Sequence, residues 1–129
     1  MIAFHGGNYE TKKTYDISDI NIDNIYFGDF RAADSLQILN ENNITHIINC
    51  AFNCPNKFQS DITYLNLNLQ DDPSQDILSQ MDEGYQFIKQ NSKNNILVHC
   101  VLGCSRSGAA IVYYLMRDKK WTFDEALNF

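Results

Sequence analysis

A chain of 129 residues with 44% apolar and 12% aromatic content has enough hydrophobic side chain for one core and is too apolar for a disordered segment. Its formal net charge of −6 and pI near 4.8 argue against a nucleic-acid binder, which needs an excess of Lys and Arg, so any anion site must be local. No apolar run approaches the roughly 18 to 20 residues of a spanning helix, and the opening MIAFHGGNYETKK lacks an apolar signal region. The expectation is a protein of the cytoplasm, or of cytoplasm and nucleus, with no membrane insertion.

The first residues, about 1–13, carry Gly6, Gly7 and polar groups without periodicity and read as an arm leading to a short strand near Tyr15 to Ile17. Asn24-Ile25-Tyr26-Phe27-Gly28 reads as a strand closed by glycine, and Ala33, Leu36 and Leu39 then recur at helical spacing within one helix over Ala32 to Asn42. Ile44 to Cys50 is β-branched and short enough for a buried strand, after which Asn53, Pro55 and Asn56 mark a loop. Tyr64 to Leu69 alternates polar with apolar, the pattern of a strand with one buried face, and ends in the polar segment Gln70-Asp71-Asp72-Pro73-Ser74. Ile77, Met81, Tyr85 and Ile88 share one face of a helix running to about Gln90, capped by Ser74 or Asp76. Ile96-Leu97-Val98 is a compact apolar strand, His99 to Arg106 a loop, and Gly108 to Met116 the next helix. Thr122-Phe123-Asp124-Glu125 opens a capping box, but the residues after it are too few for a helix of usual length, so the C-terminal helix reads as truncated. Strands alternating with helices, without repeat or linker, imply one α/β domain over 1–129.

The four cysteines, Cys50, Cys54, Cys100 and Cys104, are better read as reduced thiols than as a disulfide framework, since no secretory signal accompanies them. A zinc site using His99 and these cysteines would lack a C-x2-C knuckle and a second nearby histidine. The segment that demands explanation is His99-Cys100-Val101-Leu102-Gly103-Cys104-Ser105-Arg106-Ser107-Gly108, set between a buried strand and the start of a helix. Unpaired N–H groups and the helix macrodipole make such a junction an anion site without any net basic charge. Gly103 lets the loop curl, and Arg106, six residues beyond Cys100, returns over its rim with a planar fork that can hold two phosphate oxygens. The amides, the dipole and Arg106 all favour negative charge at Cys100, whose thiol should ionise more readily than a free one and serve as nucleophile. Ser107 could donate a hydrogen bond to the sulfur and help it depart from an intermediate.

HCVLGCSRSG resembles the HC-x5-R-S signature of the protein tyrosine phosphatase superfamily, in the HC-x2-G-x-SRS form of the dual-specificity phosphatases. NIYFGDFRAAD resembles that family's strand-glycine-helix opening, ITHIINCA its next strand and YLNLNLQDDPSQDI its acid loop, so the likeness covers most of Tyr15 to Phe129. The resemblance implies an α/β domain with a central mostly parallel sheet of about five strands, a two-step phosphocysteine mechanism, and neither metal nor cofactor. It also implies an aspartate that protonates the leaving oxygen and later activates water. Asp71 matches best, with Pro73 two positions later, and Asp72 is the alternative.

Each residue also has a plainer reading. Cys100 alone would be a small apolar filler, but the loop and Arg106 reverse that. His99 supports the loop or tunes the thiol. Asp71 could be a solvated helix cap, Cys104 a filler and Arg31, near the family's substrate-facing helix start, a surface residue. In some relatives a cysteine at the position of Cys50 forms a reversible disulfide with the nucleophile. The loop residues Val101, Leu102, Gly103, Cys104 and Ser105, which would line the phosphate site with Arg106, are uncharged, which favours singly phosphorylated Tyr, Ser or Thr side chains of a protein substrate. The alternatives are a non-catalytic phosphopeptide-binding module and a phosphatase of a non-protein phosphate, such as a phosphoinositide or an RNA 5′ end. Oligomeric state is not encoded in any feature of the sequence.

Overall fold

The computed structural model describes residues 17–51, 53–67, 69, 76–101 and 106–128. The first strand, β1 (Ile17–Asp19), pairs antiparallel with β2 (Ile25–Asp29). The sequence placed it near Tyr15 to Ile17; Ile17 is its first residue, and Tyr15 lies outside the described residues. The turn between them puts Asn21, Asp23 and Asn24 in the left-handed region, with φ of 62°, 51° and 60°. Asn and Asp tolerate that conformation because their short polar side chains bond locally, as when the Asn21 amide donates to Asp19 Oδ1 at 2.8 Å.

The single helix expected over Ala32 to Asn42 is two helices, α1 (Phe30–Ala33) and α2 (Leu36–Glu41). Ser35 breaks it: its backbone is extended and its hydroxyl accepts the Ile38 amide at 3.2 Å, replacing the helical ladder at that point. The break leaves Ala33 and Leu39 buried but Leu36 exposed, so the helical spacing of the three did not mean one shared face.

Next come β3 (Ile44–Asn49) and β4 (Thr63–Asn66), paired in parallel. The ladder of β4 stops at Asn66, short of the expected Leu69, although Leu67 and Leu69 remain buried and the Leu67 amide still donates to the Asn49 carbonyl. Nor is only one face used, since Leu65 packs on one side of the sheet and Tyr64 on the other. Helix α3 (Ile77–Gln90) starts at Asp76, whose carboxylate accepts the Ser79 amide at 3.1 Å, while Ser74 lies outside the described residues. Ile77, Met81, Tyr85 and Ile88 all meet the core, as their spacing predicts.

The last elements are β5 (Asn95–Cys100), α4 (Arg106–Lys119) and α5 (Phe123–Leu127). Strand β5 continues through His99 and Cys100, beyond the apolar triplet, because its neighbours extend the ladder on both sides. Helix α4 begins at Arg106 and is longer at both ends than the segment Gly108 to Met116. The capping-box segment does form a helix, α5, because both halves of the box close and Ala126 is buried against the core; the tertiary contact supplies what its length does not.

The sheet order is β1-β2-β5-β3-β4, with β2, β5, β3 and β4 parallel and β1 antiparallel at the edge. Both faces are covered. On one, Ile25, Ile48, Ile96, Val98 and Cys100 pack with Ile88 of α3, Ile111 and Leu115 of α4, and Ala126 of α5. On the other, Ile47 and Leu97 pack with Ala32 and Ala33 of α1 and Leu39 of α2. The central strand is therefore sealed on both sides, as parallel sheets require. Among the described residues no helix is long and apolar enough to cross a membrane.

At the end of α4 remote from Arg106, the fully buried Tyr114 donates its hydroxyl to Asp23 at 2.6 Å. Burial and the Asp23 carboxylate push the phenol above the usual tyrosine range. Burial opposes ionisation of Asp23, but hydrogen bonds from Lys119 and Tyr114 outweigh it and lower its pKa. Lys119 also reaches Asp118, which Lys89 holds at 2.8 Å. The cluster ties the β1–β2 turn to α4 and α3. Tyr114→Phe should cost roughly 1–2 kcal/mol in urea unfolding at pH 7. Because the folded-state pKa of Asp23 is depressed, the charge-assisted bond is fully present above the unfolded aspartate pKa of about 4 and fades as the pH falls below it. An equal cost at pH 3 and pH 7 would contradict the assignment.

Candidate active site

In an open parallel sheet, a site forms beyond the carboxyl ends of the strands, where connections leave toward opposite faces. Here β2 leaves toward α1 and α2 on one face, while β5 leaves toward α4 on the other. The residues at that edge are Asp29 of β2, Cys100 of β5 and the Asn49–Cys50 end of β3.

Cys100 ends β5 and is 2% exposed. Ser107, the second residue of α4 and completely buried, donates its hydroxyl to Cys100 Sγ at 3.1 Å. The sulfur in turn approaches the Val101 carbonyl at 3.4 Å, so it is held by the turn that follows it and by the first turn of the next helix. A fourteen-residue helix presents partial positive charge at that end, and a donated hydroxyl hydrogen stabilises a sulfur that carries negative charge. Arg106 is the first residue of α4, partly exposed beside Ser107. Val101 is half-buried, while Leu102, Gly103, Cys104, Ser105 and the acid candidates Asp71 and Asp72 lie outside the described residues.

His99 is 1% exposed, with Nδ1 3.5 Å from the Cys100 carbonyl and Nε2 without a partner among the described residues. Burial lowers its pKa, against smaller opposing effects of the Cys100 carbonyl and of Asp34 and Asp29. Burial thus disfavours the charged imidazolium, and the ring fills the end of β5.

Cys50 is fully buried and its amide donates to the His99 carbonyl at 2.8 Å, extending the β3–β5 ladder by one residue. It belongs to the same core cluster as Cys100, so these two sequence candidates are brought together on one side of the sheet. Cys50, Cys54 and Cys100 stand as thiols. Cys54 lies in the loop beyond β3, where burial and the charge of Asp34 raise its pKa.

Two features went unrecognised in the sequence. Asn49 is 2% exposed; its Oδ1 accepts the Ala51 amide, and its Nδ2 donates to the Cys54 carbonyl and to Asn56, each within 2.9 Å. It shapes the loop that follows Cys50. An asparagine following Ile47-Ile48 at the end of the buried strand was the available signal, since a polar group there must find partners. The second is Asp29, which caps α1 and grips Arg31 with an Nη2–Oδ2 distance of 2.7 Å. Arg31, read as a surface residue, is partly buried at the site's edge.

A family model described as "Dual specificity phosphatase, catalytic domain" matches residues 25–129. The protein-tyrosine-phosphatase MKP1 of Arabidopsis thaliana is 40% identical over 110 residues, which cover 83% of this chain and 14% of that protein. Dual specificity protein phosphatase 19 of Mus musculus is 36% identical over 106 residues, covering 81% and 48%. The chain thus spans less than half the length of either relative. The solved structure of a mouse dual specificity phosphatase complexed with zinc tungstate superimposes with a TM-score of 0.78 at 25% identity, over 95% of this chain and 77% of that one.

Proposed function

Because the chain belongs to the dual-specificity phosphatase family, matching its catalytic domain over residues 25–129, we propose that it hydrolyses phosphotyrosine and phosphoserine or phosphothreonine in protein substrates through a phosphocysteine intermediate. The observation that carries this reading is the Ser107 hydroxyl 3.1 Å from the Cys100 sulfur at the start of α4. Cys100 attacks phosphorus as a thiolate, the P–O bond to the substrate breaks, and Asp71 gives the departing oxygen its proton. Asp71 then takes a proton from water, which attacks the phosphocysteine. The P–S bond breaks and the sulfur leaves as an anion into the hydrogen bond from Ser107. Arg106 clamps two equatorial phosphate oxygens, and the backbone of Val101 to Ser105 cradles the rest.

The uncharged loop side chains support a singly phosphorylated side chain over a phosphoinositide or an RNA end, which bring additional negative charge.

Hydrolysis of para-nitrophenyl phosphate should be lost in Cys100→Ser and fall at least 100-fold in Arg106→Lys, which keeps the charge but not the fork. Binding of a phosphotyrosine peptide by the unaltered chain with no release of phosphate would replace the enzyme with a binding module. Asp71→Ala should slow turnover much more for alkyl than for activated phenyl phosphates, because only the poor leaving group needs the proton. Equal losses would remove Asp71 as the acid. Mild peroxide should inactivate reversibly with a Cys50–Cys100 crosslink, Cys50 reducing the sulfenic acid of Cys100 with loss of water. Mass spectra showing only oxidised Cys100 would remove Cys50 from that step.

A further inference from the structure

Strands β2 and β5 end at the same edge, so whatever closes β2 stands beside the nucleophile. Asp29, the last residue of β2, is in register with Cys100. Phe27, two residues earlier, packs on the same core cluster as Val98 and Cys100, and the period-two alternation of a strand brings Asp29 to that side. The Asp29 carboxylate accepts the Arg31 amide at 2.9 Å and lies along its guanidinium, with Nη2–Oδ2 at 2.7 Å and Nε–Oδ2 at 3.2 Å. Their side chains are 15% and 28% exposed, enough burial for the charges to act on their surroundings.

The chemistry at Cys100 gathers negative charge twice, first on the thiolate and then on the incoming phosphate dianion. An unpaired carboxylate one strand away opposes both; a carboxylate gripped by guanidinium is close to neutral from that distance. We propose that Arg31 is a positioning residue that neutralises Asp29 and thereby keeps Cys100 ionised and open to a phosphate dianion. The proposal rests on the reading of Cys100 as a thiolate nucleophile.

The other charged or titratable groups around Cys100 are accounted for among the described residues. Arg106 starts α4, His99 precedes Cys100 on β5, and Cys50 follows β3. Asp34, at the end of α1, is paired with Lys57 at 3.3 Å. The charged residues Asp82 and Lys89 of α3 pair with Arg117 and Asp118 in the last turn of α4, at the end of that helix remote from Cys100. Among the described residues Arg31 pairs with Asp29.

Asparagine caps a helix as well as aspartate does, so Asp29→Asn removes the charge and keeps the start of α1. The rate of iodoacetate alkylation of Cys100 against pH is the readout, for the unaltered chain, Arg31→Gln, Asp29→Asn and the double variant. Arg31→Gln should move the midpoint up by roughly 0.5 to 1 pH unit and lower kcat/KM below that midpoint about 3- to 10-fold. The double variant should return most of the way, and 1 M salt should shrink the difference. Asp29→Asn alone should leave the midpoint in place or lower it. An unmoved midpoint in Arg31→Gln, a double variant as impaired as that single one, or an upward movement in Asp29→Asn would each overturn the proposal. If Arg31→Gln fails to fold, Asp29→Asn and Arg31→Lys, which should stay near the unaltered midpoint, carry the test. An unaltered chain whose Cys100 reacts like a free cysteine would overturn the phosphatase reading and this inference together, whereas an ionised Cys100 unmoved in every variant overturns this inference alone.

Discussion

The hydroxyl of Ser107 reaches the sulfur of Cys100 only because a strand buried on both faces hands the chain to a helix within a few residues. That junction constrains everything around it. Strand β5 must lie in the middle of the sheet so that neither sulfur nor imidazole meets bulk water, which in turn requires helices on both sides: α1 and α2 against one face, α3 to α5 against the other. The polar cluster of Tyr114, Asp23, Asp118 and Lys119 anchors the far end of α4, so that the helix carrying Ser107 is fixed at both ends.

For an acidic chain, the anion site proposed at Cys100 poses an electrostatic difficulty that only local groups can meet. The net charge of −6 is spread over a surface screened by solvent, whereas the site is governed by groups within a few ångströms of the sulfur. Among these, burial lowers the pKa of His99, and the carboxylates Asp34 at the end of α1 and Asp29 of β2 are each matched by a cation, Lys57 and Arg31. Beside Arg106, the donors at the start of α4 are main-chain and hydroxyl groups, which act through position and need no excess of basic residues.

Asparagine is frequent in this sequence, and its uses here are specific. Asn21, Asn24 and Asn43 occupy left-handed turns; Asn42 and Asn91 return side-chain bonds to carbonyls at the ends of α2 and α3; Asn95 ties β5 to the turn before β3. These bonds close the end of the sheet opposite the edge that carries Cys100. At that edge itself Asn49 does the same for the loop beyond Cys50.

Much of this was legible in the order of residues. The alternation of β-branched strands with amphipathic helices identified a layered α/β fold, because side-chain periodicity reports burial directly, and the spacing of Cys100, Arg106 and Ser107 marked the junction between strand and helix. Element ends were less legible. Ser35 split a helix, the ladder of β4 stopped at Asn66, and α5 formed despite its length, since hydrogen-bond competition and docking act at such points. What the sequence by itself determined was local: which segments are buried, and which short segment joins the strand ending in Cys100 to the helix that follows. Only the tertiary structure decided that Asp29 stands in register beside Cys100, that Cys50 shares its core and that His99 is buried, because those facts depend on which strands become neighbours, and strand order is set by packing between segments far apart in the chain.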